Sequence, residues 1–288
     1  MKISEAIAAI KHGCRGQMNG KPANDEKDRI LFGQDHAEDE LTGIVVCATA
    51  TVDVIRRAVE LGANLIMSNA GLFWNHGDRT DWLAGNEVFE AKRALLAQNG
   101  IVVWRNFEYV ISGIPVEGGY IDGMAYGFAK TMGWDQYLDV ANAIANPADF
   151  FFKYEFPEPV SVAELARQCR ERAGLVGVTV VGNKDVKVRR LYYSRHQNLG
   201  IIDAKEIETI TADDVDCLVS GDLVEYTVAA YVRDAVAAGH PKCILKFGNF
   251  NEADAGMAYC EAWVPQAIGH AAPVVHVPMG DVVAQYVR

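Results

Sequence analysis

Residues 43–81 read GIVVCATATVDVIRRAVELGANLIMSNAGLFWNHGDRTD. Ile44–Cys47 is a short apolar, β-branched run of the kind that forms a strand buried on both faces. Thr51 is a suitable N-cap, and Asp53 falls in the first turn, where the helix dipole favours a carboxylate. The spacing predicts a helix over 52–61, with Val52, Ile55 and Val59 turned inward and Arg56, Arg57 and Glu60 outward. Gly62 supplies the residue that ends it. Leu65–Met67 is a second buried strand, and the stretch as a whole is a β-α-β unit of a parallel sheet. Ligands gather outside the carboxyl ends of such strands. The polar and aromatic segment 68–81 is therefore the first place to look for a site.

The same rhythm continues outward. A short first helix over 2–13 turns Ile3, Ile7 and Ile10 inward, and a Gly- and Asn-rich loop follows to Lys27. Residues 86–99 read as a helix with Val88, Phe89, Ala91, Leu95 and Leu96 apolar, closed by Asn99-Gly100. Strand 101–104 then exits into Arg105-Asn106-Phe107-Glu108-Tyr109. Residues 113–123, with Pro115, Gly118 and Gly119, read as loop, and 124–132 as helix. The α/β rhythm breaks between Trp134 and Asn142. It resumes at Ser161-Val162-Ala163-Glu164, which has capping-box spacing. Strands are expected at 176–181, 188–193, 217–219, 243–247, 274–277 and 282–286, with helices at 226–238 and 255–264. The expected domains are 1–134 with 245–288, and 135–244.

Composition excludes several classes. The net charge of −11 over 288 residues argues against a nucleic-acid surface, which needs concentrated Lys and Arg. Lys184, Lys187, Arg189 and Arg190 form a small basic cluster, best read as a solvated strand edge. No apolar run is long enough to span a bilayer. The N-terminus, interrupted by Glu5 and Lys11, suits an amphipathic helix better than a signal sequence. Cysteines 14, 47, 169, 217, 243 and 260 show no C-x-x-C spacing, and several lie in apolar runs. Reduced thiols in a cytoplasmic protein are expected.

Polar clusters follow four strands: Ser68–Asp78, Arg105–Tyr109, Ser220–Asp222 and Gly248–Glu252. The expected pocket comprises Ser68, Asn69, Ala70, His76, Asp78, Arg105, Glu108, Asn249 and Glu252. His76 and Asp78 are either metal ligands, together with Glu108 and Glu252, or hydrogen-bond partners across a turn. His196, beside Arg195 and Asn198, either grips an anion or lies in a solvated loop. The remaining histidines, His276 among them, have no ligand-like company. There is no Walker A sequence, no G-x-S-x-G and no dinucleotide fingerprint.

Several blocks carry a resemblance to a known family: residues 43–74, GIVVWRNFE (100–108), VSVAELARQC through VKVRRLYY (160–193), CLVSGDLVEYTVAAYVRDA (217–235) and GNFNEADAGMAYCEAWV (248–264). They resemble the Nif-three-like family, dinuclear-metal-centre proteins labelled GTP cyclohydrolase I type 2. The resemblance spans nearly the whole chain. It implies two interlinked α/β domains and a toroidal homohexamer. The family's metal ligands would fall on Asn69, Ala70, Glu108, Asn249 and Ala253. Of these only Glu108 is a ligand type, because Asn offers a weak amide oxygen and Ala nothing. Glu252 lies one residue out of register.

The expectation is thus a Nif-three-like protein with a degenerate metal site, a hexameric scaffold that binds a small molecule or is structural. No cofactor is expected. The alternative is a metal-dependent, cyclohydrolase-like hydrolase holding a divalent metal through His76, Asp78, Glu108 and Glu252. The expected partners are copies of itself and a small-molecule ligand, with no nucleic acid and no membrane.

Overall fold

A computed structural model describes residues 1–18, 20–75, 77–147, 151–194, 203–212 and 215–283. The chain divides into two compact units, one of residues 1–127 and 253–279, the other of residues 128–252 and 280–288.

The first unit opens with helix α1 (Ile3–Gly13), which buries Ile3, Ala6, Ile7 and Ile10 as its spacing requires. A small hairpin of β1 (Gln17–Met18) and β2 (Lys21–Pro22) follows, then β3 (Ile30–Phe32). The decisive stretch forms β4 (Ile44–Cys47), α2 (Val52–Glu60) and β5 (Leu65–Ser68). Thr51 accepts a hydrogen bond from the Val54 N–H, as an N-cap should. The buried face of α2 differs from the expected one: Val54, Ile55 and Ala58 are covered, while Val59 is 37% exposed. Packing on the sheet takes the side of the helix with the small Ala58, rotating the two valines at 52 and 59 toward its flanks. Helix α3 (Glu87–Gln98) leads to β6 (Val102–Arg105) and the short α4 (Glu108–Ser112). The expected loop after it is a hairpin of β7 (Ile114–Val116) and β8 (Gly119–Ile121), and α5 (Gly123–Met132) follows.

After α6 (Val140–Ala145), the second unit's sheet begins with β9 (Phe151–Ser161). This strand runs on through Pro157 and Pro159. It can do so because it lies at a sheet edge, where a missing N–H faces no ladder partner. Helix α7 (Val162–Arg172) is capped by the Ser161 hydroxyl, which accepts from the Glu164 N–H. Then come β10 (Thr179–Gly182), β11 (Lys187–Ser194), α8 (Asp203–Thr211), β12 (Cys217–Ser220), α9 (Ala230–Ala237) and β13 (Cys243–Lys246). Helix α10 (Asn249–Ala258) occupies what reads as an exit loop. Helix α11 (Cys260–Ala267) and β14 (Val274–His276) follow. Val282 and Val283 carry no strand, and the rest of that expected strand lies outside the described residues.

The two five-stranded sheets share a plan. In the first unit the order is β14-β4-β5-β6-β3, with β3 antiparallel to β6 and the others parallel. In the second it is β10-β13-β12-β11-β9, with β11, β12 and β13 parallel and both edges antiparallel. Strands β4, β5, β6, β12 and β13 are buried on every residue but the last of β6 and β13, as expected where helices cover both faces, whereas β11 alternates and exposes Lys187 and Arg189. All six cysteines are free and buried. Among the described residues no helix is long and apolar enough to cross a membrane.

Candidate functional site

In the first unit, the turn after β5 is tied to both neighbouring strands. Ser68 is fully buried, and its hydroxyl donates to the Ala70 carbonyl at 2.7 Å. The Asn69 and Ala70 N–H groups donate to the Cys47 and Ala48 carbonyls at 3.1 and 2.8 Å. Arg105 Nε reaches back to the Asn69 carbonyl at 3.3 Å, and its guanidinium lies over the Phe107 ring. The buried Asn69 Nδ2 has no hydrogen-bond partner among the described residues. Ser68, Asn69, Ala70 and Arg105 are thus brought together. They present amides, a methyl and a guanidinium rather than metal-binding groups.

Glu108 stands at the start of α4. Its carboxylate meets Lys27 Nζ at 2.7 Å and accepts from the Asn24 N–H at 3.3 Å. The buried Asp28 beside it accepts from the Phe107 and Tyr109 N–H groups, capping that short helix. Burial raises the Asp28 carboxyl above its ordinary range, against the pull of these hydrogen bonds and Arg105.

Asp78 is held in its own loop. Its Oδ1 accepts from the Leu72 and Phe73 N–H groups, and its buried Oδ2 has no partner among the described residues. Trp74 and Asp78 both adopt left-handed backbone conformations, with φ of 57° and 49°. His76 lies outside the described residues, as do Arg195, His196 and Asn198.

Lys92 was not among the expected site residues, yet it is buried, only 3% exposed, in the middle of α3. Its Nζ donates to the Leu72 carbonyl at 2.7 Å and lies 5.7 Å from the Phe73 ring and 5.3 Å from that of Trp74. Burial brings the amine down to about 8, against the opposing influence of Cys47 and Asp78. The signal was present in the sequence: Phe89, Lys92 and Leu96 share the i, i+3, i+7 stripe that packs inward. Asp254 and His276 were also missed as a pair. Asp254 accepts from the Ala48 and Met279 N–H groups, and His276 Nε2 lies 3.5 Å from its Oδ1.

The second unit repeats the turn geometry. Ser220, at the end of β12, is buried and donates to the Asp222 carbonyl at 2.6 Å, as Ser68 does to Ala70. The Gly248 N–H donates to the Gly221 carbonyl at 2.8 Å. Asn249 opens α10, half-buried. Glu252, 6% exposed, accepts a hydrogen bond from the Tyr193 hydroxyl. That ring stacks on Phe128 with centroids 4.6 Å apart. A Cβ on Gly221 would meet the Glu252 carboxylate, so any larger residue there has to displace that side chain. Within neither unit do three described His, Cys, Asp or Glu side chains converge as a metal site would require.

No protein-family profile and no curated protein matches the chain. Solved structures do. It superposes on Staphylococcus aureus hypothetical protein SA1388 with a TM-score of 0.69 at 16% identity, covering 100% of this chain and 99% of that one. A Bacillus cereus protein related to NIF3 matches with a TM-score of 0.64 at 12% identity, over 100% and 99% of the two chains. The fold is Nif-three-like. Thermus thermophilus TTHA1606 matches over 98% of this chain and 100% of its own, with a TM-score of 0.62 at 13% identity. At such identities the likeness concerns the fold. The residues at the positions where Nif-three-like proteins are expected to hold two metals do not fit that group. Asn69 and Asn249 are amides, Ala70 and Ala253 have no donor, and Glu108 is already paired with Lys27.

Proposed function

We propose that this chain is a Nif-three-like scaffold whose dinuclear metal centre has degenerated, assembled as a ring-shaped homohexamer that binds a small molecule or serves a structural role. The observation that carries the reading is at Glu108. A metal pair needs several strong, partly shared donors. The one expected position that keeps a carboxylate spends it on the Lys27 ammonium and the Asn24 N–H. The other carboxylates considered as relocated ligands are similarly engaged: Asp78 with the Leu72 and Phe73 amides, and Glu252 with Tyr193.

Elemental analysis of the full chain, purified after growth with added zinc, iron and manganese, tests the reading. Substoichiometric metal is expected. Two equivalents per chain, lost on Glu108→Ala, would favour the metal-dependent hydrolase instead.

A further inference from the structure

The sheet of the second unit has two edges, and they are finished differently. The β9 edge carries Pro157 and Pro159 with Lys153, Glu155 and Glu158, residue types that keep other strands from pairing with an open edge. The β10 edge reads Thr179-Val180-Val181-Gly182 and has neither charge nor proline. Both of its valines are half-buried, and Val181 packs against Val228, Val232 and Ile244.

The backbone along this edge is open as well. Val181 pairs with Ile244, and the Asn183 N–H donates to the Lys242 carbonyl at 3.0 Å. Backbone groups alternate in direction along an antiparallel ladder. The N–H and C=O of Val180 and the N–H of Gly182 therefore point away from β13, and no described residue takes them up.

Beside the edge lies an open concavity of about 430 Å³, lined by Val180, Val181, Gly182, Arg233 and Val236. Arg233 is its one charged lining residue. Lys246 stands opposite Thr179, on the same face of the sheet as Val181. Neither cation has an ion-pair partner among the described residues, although the chain carries a net charge of −11. A small carboxylate would answer the charge but leave the Val180 carbonyl without a donor. An extended peptide answers both, because its backbone offers N–H and C=O groups in turn. Side chains two apart fall on one face of a strand, so an aliphatic and an acidic residue at i and i+2 reach the valine wall and the cations together.

We propose that β10 is a docking edge, which takes an extended acidic segment of a partner protein as an added strand. An aliphatic side chain of that segment lies against Val236 and a carboxylate meets Arg233. The site lies within the second unit and does not depend on the metal reading.

Fluorescence anisotropy with the full chain tests the proposal. The probe is the fluorescein-labelled, carboxyl-amidated peptide Thr-Val-Thr-Glu-Thr-Val, which puts its Val and Glu side chains on one face. Saturable binding is expected, and replacing the peptide's Glu by Lys should weaken it at least about tenfold. Arg233→Glu should reverse that preference. Val180→Pro removes one outward N–H and spares the ladder to β13, so it should abolish binding while circular dichroism and melting temperature are kept. Arg233 is exposed, so its variant reads the charge even if Val180→Pro fails to fold. No binding up to about 1 mM peptide, or equal binding of the Glu and Lys peptides, would overturn the proposal. So would concentration-dependent dimerisation that Val180→Pro removes, because the edge would then belong to a second copy of the chain.

Discussion

Burying Lys92 with a single carbonyl partner makes the folded state sensitive to pH in a defined direction. Its amine titrates near 8 in the folded chain and near 10.5 when unfolded. Between those values the unfolded state binds more protons, so stability rises with pH across that window and is lowest, for this group, below pH 8. The shift corresponds to an upper limit of roughly 3 kcal/mol. Urea midpoints of wild type and Lys92→Met at pH 7, 9 and 10 should show a rise in the wild type that the variant lacks. A second residue-scale expectation concerns Glu252. Tyr193→Phe removes the phenol hydrogen bond to a buried carboxylate and should destabilise by about 1–3 kcal/mol. Gly221→Ala should also destabilise, by about 1–3 kcal/mol, because the added methyl meets the same carboxylate. Chemical denaturation reads both.

Individual elements show which sequence signals were sufficient. Ser161→Ala should cost about 1 kcal/mol, since the hydroxyl caps α7. Ile55→Ala on the buried face of α2 should cost about 2–5 kcal/mol. Val59→Ser on the same helix should change thermal stability by under about 0.5 kcal/mol. That contrast contains the lesson of the sequence reading. Period and caps located α2, but which of two adjacent apolar stripes faces the sheet was decided by packing that a single sequence does not display. Buried strands β4, β5, β12 and β13 were legible because continuous apolar runs have few other uses. Edge strands were not: β3 is three residues long and β9 runs through two prolines, so both lack the pattern of a central strand. Helix α10 was hidden because Gly248-Asn249 reads as loop, although Gly248 in a left-handed conformation leads directly into the helix. The turns at Ser68 and Ser220 were placed correctly at strand ends. Lys92 was passed over because a charged residue amid Leu and Ala reads as the solvent side of a helix.

At the scale of the molecule, the fold and the missing donors lead to separate expectations. The ring-shaped homohexamer is a proposal that light scattering checks directly: a mass near six times 31.5 kDa is expected, and a stable monomer would remove it. The donors do not depend on assembly in this account, since each protomer brings its own side chains. Asn69, Ala70, Asn249 and Ala253 stand where the resemblance implies ligands, and Glu108 is paired with Lys27. If the proposed loss of the metal centre holds, supplying donors should create affinity for zinc. The most direct measurement is a zinc titration against a chromophoric chelator, comparing wild type with Asn69→His/Ala70→His. The wild type is expected to leave the chelator's zinc in place and the double variant to withdraw it. Withdrawal of two equivalents per chain by the wild type would contradict the loss of the metal centre.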